Sequence, residues 1–216
     1  MVFNQRKMKT PRVILSCLFL ALLVSGCAFG VTNVRVAHSP LESVPQKRGG
    51  TILVQQFVDD RKEDHQYIGT KRNGFGMPLG NIGVRDGKRV DAMVTEFFVD
   101  ALRHAGYDAV IQTQAATQQP GGVKADAVMQ GDIKEFWLDL YMATWHHVNV
   151  DLKLLDKDGK QVLWEKNIQG GKANVLWLGI NSEFERVIRE ALDEALNRAA
   201  KEFATEEFYR KVKVGN

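Results

Sequence analysis

The side chains of this 216-residue chain that could carry out chemistry are few. Acid–base hydrolysis needs a carboxylate beside a second carboxyl group or a histidine. Asp59, Asp60 and His65, the last in the acidic stretch Glu63-Asp64-His65, are of the right type. Side by side at the end of an apolar run, the two aspartates are better read as capping backbone amides or pairing with Arg61. Serine chemistry needs a nucleophile next to a histidine base. Beyond residue 27 the serines are Ser39, Ser43 and Ser182, and no G-x-S-x-G is present. His146-His147 is the best histidine pair for a metal, yet consecutive strand residues point to opposite faces and cannot share one ion; a surface pair is expected. Asp156-Lys157-Asp158-Gly159 lacks the later ligands of a calcium loop and is read as a turn. Gly80 to Arg89 resembles a phosphate loop in composition, but three residues instead of four separate Gly83 from Gly87, and Arg89 stands where a hydroxyl is needed. The reading is therefore no catalytic residue, no metal ligands and no cofactor.

Cys27 is different. Residues 1–12 carry Arg6, Lys7, Lys9 and Arg12 with no acid, and Val13 to Val24 is an apolar run. Twelve helical residues span about 18 Å, short of the ~30 Å hydrocarbon core, so a secretory signal is expected in place of a spanning helix. The run ends in Leu23-Val24-Ser25-Gly26-Cys27, which resembles the lipobox of bacterial lipoproteins. That resemblance implies cleavage between Gly26 and Cys27 and acylation of the Cys27 thiol. Each buried methylene contributes about 0.8 kcal/mol, and one fatty chain alone holds only marginally. The family's three chains imply stable attachment to a leaflet. Ala28 in place of Asp resembles the enterobacterial signal for the periplasmic face of the outer membrane. With Cys17 removed and Cys27 acylated, the body would hold neither thiol nor disulfide.

The elements that would position a site follow from periodicity. Residues 27–50 hold Pro40, Pro45 and Gly49-Gly50 and read as a periplasmic tether reaching at most ~80 Å, with Val34 and Val36 admitting a short edge strand. Residues 51–216 read as one globular domain. Strands are expected at Thr51 to Val58, Tyr107 to Ile111, Ala125 to Leu138, Thr144 to Leu155 and Gln161 to Gln169, the last two joined at Asp158-Gly159. One apolar stripe from Val90 to Ala105 predicts a helix beginning near Asp86 and stopped by Gly106. A second, from Phe184 to Phe203, predicts a helix behind a Ser182–Glu185 capping box. The fold class is α/β (α+β): a single mixed sheet of about five strands with two long helices on one face.

These features together are similar to the YajG-type outer-membrane lipoproteins: the lipobox, Phe57-Val58-Asp59-Asp60-Arg61 closing the first strand, an Ile68-Gly69 to Asn73-Gly74 loop, the Asp158-Gly159 hairpin and Glu207-Phe208 after the terminal helix. The resemblance implies an envelope lipoprotein and no catalytic residue. Composition is ordinary for one globular domain, with 44% hydrophobic and 25% charged residues. Of 29 Lys and Arg, four lie in the first twelve residues, leaving 25 against 26 Asp and Glu. So balanced a body has no polyanion-binding field, and nucleic acid is not an expected partner. The expected partners are the lipid bilayer through Cys27 and an envelope protein, and homo-oligomerisation is compatible. Docking is expected at the long glycine-rich loop from Asp59 to Gly87, through Phe75, Met77, Leu79 and Ile82, together with Leu176 and Trp177; the alternative is that these side chains fold back as a lid on the core. Two other functions fit less well: a lipid or small-ligand carrier, and a hydrolase using Asp59, Asp60 and a histidine converging in one cleft without Arg61 neutralising them.

Overall fold

The computed structural model describes residues 30–46, 49–73, 75–112, 124–141, 143–175 and 181–214. Its strands are β1 (Thr32–Val34), β2 (Thr51–Val54), β3 (Val58–Asp59), β4 (Gly69–Arg72), β5 (Pro78–Val84), β6 (Asp108–Ile111), β7 (Ala127–Tyr141), β8 (Ala143–Asp156) and β9 (Val162–Asn174). The helices are α1 (Val90–His104), α2 (Asn181–Phe203) and α3 (Glu206–Val214), with a single 3-10 turn at Arg85–Gly87.

β7 is the spine of the sheet. One edge pairs antiparallel with β8 from Ala127↔Asp156 to Tyr141↔Ala143, and β8 pairs in turn with β9. The other edge is shared in succession by three short parallel strands: β2 at Ala127–Met129, β3 at Asp132–Ile133 and β4 at Leu138–Leu140. β2 carries β6 in parallel, the pairing expected of a strand–helix–strand crossover. β4 carries β5 antiparallel, and β5 carries β1 in parallel. Among the described residues the mixed sheet therefore has nine strands where about five were expected, and there are three helices where two were.

Two of the four added strands, β4 and β5, come from the region read as a loop. Gly69-Thr70-Lys71-Arg72 and Pro78 to Val84 form a hairpin whose glycines hide its pattern. Gly69 lies against the Leu138 carbonyl and Gly80 against the Gly30 carbonyl, where a Cβ would sit 2.4 and 2.0 Å from the oxygen. Glycine here permits close backbone approach within a sheet. The helix expected from Asp86 starts instead at Val90, because Asp86 and Gly87 both have positive φ, 71° and 61°. Gly106, at φ 96°, ends it as expected.

The helices cover one face of the sheet. β8 alternates as its sequence dictates: Val148, Val150, Leu152 and Leu154 are buried, while Asn149, Asp151 and Lys153 face outward. On that outer face Asn167 Nδ2 bonds Asn149 Oδ1 and Asp151 Oδ1, each at 2.6 Å. α2 lies so close to β9 that a Cβ on Gly170 would sit 2.2 Å from the Ala191 carbonyl oxygen.

The segment read as a free tether is, from Gly30 to Val44, a strap bound to the domain. β1 joins the sheet edge, Val34 is fully buried, and Val36, Leu41 and Val44 pack on the core. Three acceptors on one stripe of α2 take its backbone N–H groups: Glu185 from Arg35 at 2.8 Å, Asp193 from Ser39 at 2.7 Å and Asn197 from Glu42 at 2.8 Å. Glu185 also holds Arg85 at 2.9 Å, so the carboxylate assigned to a capping box joins separate segments.

α3 closes the far end. Thr205 Oγ1 accepts the Phe208 N–H at 3.2 Å, and Phe208 and Val212, one turn apart, are fully buried. Phe208 stacks edge-on against Trp164 at 4.9 Å and Tyr107 at 5.4 Å, and tilts on Phe203 at 5.0 Å. Phe208→Ala should lower unfolding stability by about 3–5 kcal/mol in urea titration, the range for emptying a buried aromatic site; a loss under 1 kcal/mol would show that α3 is peripheral to the fold.

Candidate functional site

Two places on the molecule bring candidate residues together. The first is a cleft of about 570 Å³ between β3, β5 and the start of α1, lined by Asp59, His65, Lys88, Arg89 and Asp91 among others. It tests the hydrolase reading directly, because Asp59 and His65 do converge there. The Asp59 carboxylate, however, is gripped at both oxygens by Arg61, with Nε at 2.7 Å and Nη2 at 2.8 Å. The His65 Nδ1 stands 3.7 Å from Asp59, and its Nε2 lies 3.0 Å from the Arg61 carbonyl. Asp60 turns away and bonds Lys134 at 2.5 Å, an interaction that holds its carboxyl below the usual range. For Asp91, burial alone would raise the pKa, but hydrogen bonds from Arg89, the Ala92 N–H and Gln56 outweigh it and keep the carboxyl low. Each of the three carboxylates is thus engaged by a cation, Asp59 by Arg61, Asp60 by Lys134 and Asp91 by Arg89, and the arrangement a general acid requires is not formed.

The reason lies in what Arg61 does for the sheet. Its side chain is fully buried, and Nη1 donates to the carbonyls of Tyr67 at 3.0 Å and Phe136 at 3.1 Å. Phe136 lies on the edge of β7 between the sites taken by β3 and β4, so the guanidinium supplies the hydrogen bond that a strand would otherwise give.

His146 and His147 point to opposite faces. His147 is exposed, but His146 is completely buried, which corrects the expectation of a surface pair. The alternation that buries Val148 and Val150 carries His146 inward, edge-on to Phe136 at 4.9 Å. Neither ring nitrogen makes a hydrogen bond of normal geometry, and burial, with the adjacent His147, outweighs the opposing contact with the Trp137 backbone and drives its pKa down to about 3. Among the described residues no group of three His, Cys, Asp or Glu is placed to hold a metal ion.

The second place is the end of the sheet where the β4–β5 and β7–β8 hairpins turn. Asn73 Oδ1 accepts the N–H groups of Phe75 at 3.0 Å and Met77 at 2.9 Å, fixing the tip of the first hairpin. Phe75 is 89% exposed and Met77 57%. Leu79 is half-buried, and its carbonyl accepts the Gly30 N–H at 3.2 Å. Ile82 is fully buried and belongs to the core, so it leaves the proposed docking set: it occupies the inward position of β5, opposite Gly69 and Thr32. Tyr141 and Trp145, on the second hairpin, are 41% and 50% exposed. Val31, which the sequence did not single out, is exposed at the same end. Leu176 and Trp177 lie outside the described residues, as do Gly26 and Cys27.

No family model matches the chain, and no curated protein matches it. Among solved structures, a DUF330 protein from Xanthomonas campestris aligns at 16% identity with a TM-score of 0.50, over 84% of this chain and 94% of that one. PelC from Paraburkholderia phytofirmans, a dodecamer in its crystal, aligns at 13% identity and a TM-score of 0.45 over 74% and 92% of the two chains. Lipoprotein GNA1162 from Neisseria meningitidis gives 15% and 0.37 over 64% and 94%. At 16% identity the likeness to the DUF330 protein is one of fold alone, and nothing among these structures singles out the YajG type.

Two outcomes follow from the buried polar groups. Arg61→Ala leaves Asp59 without its partner and the Phe136 and Tyr67 carbonyls without a donor, and should cost about 3–5 kcal/mol by urea titration; a near-neutral result would remove Arg61 from its structural role. For His146, the unfolded chain takes up a proton near pH 6.5 that the folded chain refuses until about pH 3. Stability therefore falls as pH drops through that window, by up to about 1.4 kcal/mol per unit from this one group. His146→Leu should flatten the decline between pH 6.5 and 4; parallel curves for the two proteins would contradict it.

Proposed function

We propose that the protein is a lipid-anchored lipoprotein on the periplasmic face of the outer membrane, and that its folded domain acts by binding an envelope partner instead of by catalysis. The observation that carries this reading is the lipobox ending at Cys27, three residues before Gly30 enters the sheet. A basic n-region, a short apolar run and small residues ahead of a cysteine supply each requirement of an acylation site. No helix among the described residues is long and apolar enough to cross a membrane; in this reading the attachment is lipid on Cys27. The occupied carboxylates of Asp59, Asp60 and Asp91 support binding over hydrolysis. The 570 Å³ cleft carries four charged side chains, Asp59, Lys88, Arg89 and Asp91, in its lining, which does not favour the lipid-carrier alternative.

Cys27→Ala expressed in the native cell should leave the membrane fraction and appear in the periplasm, and globomycin should make the unaltered chain accumulate as an uncleaved precursor. A Cys27→Ala protein that is processed normally and still sediments with membranes would overturn the reading.

A further inference from the structure

Nine large hydrophobic side chains are conspicuously exposed among the described residues, and their placement is uneven. Val58, Val162 and Val214 are scattered, whereas Val31, Phe75, Met77, Tyr141, Trp145 and Val175 share one end of the sheet. The pairing shows it. β4 is parallel to β7, so the tip of the β4–β5 hairpin lies beside the β7–β8 turn. β9 ends opposite the start of β8, with Asn174 across from Thr144, which places Val175 at the same end. β1 is parallel to β5 and begins there too, with Gly30 hydrogen-bonded to Leu79.

We propose that this apolar end of the sheet inserts into the headgroup layer of the bilayer beside the lipid anchor, fixing the domain's orientation on the membrane. The inference rests on the anchoring reading above and adds to it a second contact with lipid. The argument is one of reach. Only Ala28 and Phe29 lie between Cys27 and Gly30, and the three residue steps span at most ~10 Å. The polar layer of one leaflet is itself about 5–8 Å thick. Because the following segment is strapped to α2, the domain has no slack with which to stand clear of the surface. The end that carries Gly30 is held against the lipid whatever else the domain binds.

The side chains suit that position. Trp, Tyr and Phe with an apolar body and, in two cases, a polar tip are the residues that settle at membrane interfaces. Single exposed hydrophobics need no explanation, but a contiguous apolar end adjoining the anchor does. Asp139, the one acid of the two hairpin ends at residues 71–79 and 138–147, is matched by Arg72 at 3.1 Å, so these hairpin ends carry no unpaired acid to repel an anionic leaflet.

The test uses the acylated full-length protein in vesicles of phosphatidylethanolamine and phosphatidylglycerol. With Cys17 removed and Cys27 acylated, Phe75→Cys, Met77→Cys and Val162→Cys each introduce the single free thiol for an environment-sensitive fluorophore. Val162 is the control, 49% exposed at the opposite end of β9. The expected result is a blue-shifted emission at positions 75 and 77, quenched by brominated lipid, with position 162 unshifted. If the protein floats with vesicles and all three probes remain in water, the anchor stands and the insertion is wrong; that outcome leaves the apolar end to a protein partner. If the acylated protein does not float, both readings fall.

Discussion

The long central strand β7 has one edge with no single partner. β8 satisfies the other edge from end to end, but on this side β2, β3 and β4 each cover two or three residues, and the stretch from Lys134 to Trp137 belongs to none of them. An edge left partly bare inside a folded domain carries unsatisfied backbone groups whose cost rivals a lost hydrogen bond each. The structure fills the intervals with single bonds from the connecting chain: Gln55 N–H to the Met129 carbonyl, Asp60 N–H to Ile133, and Leu138 N–H to Ile68. Where the backbone cannot reach, the Arg61 guanidinium bonds the Phe136 carbonyl. The path of the chain between residues 51 and 72, including the place where Asp59 and His65 meet, follows from serving that edge.

This explains which parts were legible beforehand. β8, α1 and α2 each satisfy one simple period, two residues or 3.6, over enough length for the pattern to stand out, and the hairpin at Asp158-Gly159 announces itself through its turn residues. β4 and β5 do not. Their glycines are there because neighbouring backbones come close, and glycine in a sequence reads as looseness when the close approach that demands it is out of view. The strap was hidden for a related reason: Pro40, Pro45 and the glycine pair describe irregular backbone correctly, but an irregular segment can be fixed by acceptors 150 residues away, and the Glu185, Asp193 and Asn197 stripe becomes meaningful only when both are in view. α3 carried a weak signal in Phe208 and Val212, four residues apart behind Thr205.

The candidate surface was partly legible for the same physical reason. Phe75 and Met77 were recognisable as too apolar for a solvated connection, and they stand exposed at a hairpin tip. By composition alone Ile82 is equivalent to them, and in a loop facing has no rule. In a strand it does, and five residues beyond Met77 the side chain is directed into the core. The opposite error concerns His146, whose polar ring suggested the surface while its even-numbered position in β8 assigned it to the interior.

The strap also has a mechanical meaning. Because β1 runs parallel to β5, a load applied at Gly30 along the strand axis strains the β1–β5 hydrogen bonds together, in shear, instead of peeling them one after another. The three strap bonds to α2 share the same load, and Lys71 on β4 reaches across β5 to Thr32 on β1 at 2.8 Å, riveting the pulled strand to the third strand in. Tension entering through the N-terminal residues is thereby spread over the sheet and the longest helix at once, and the first element to yield would be the whole edge of the domain, not a single residue of a leash.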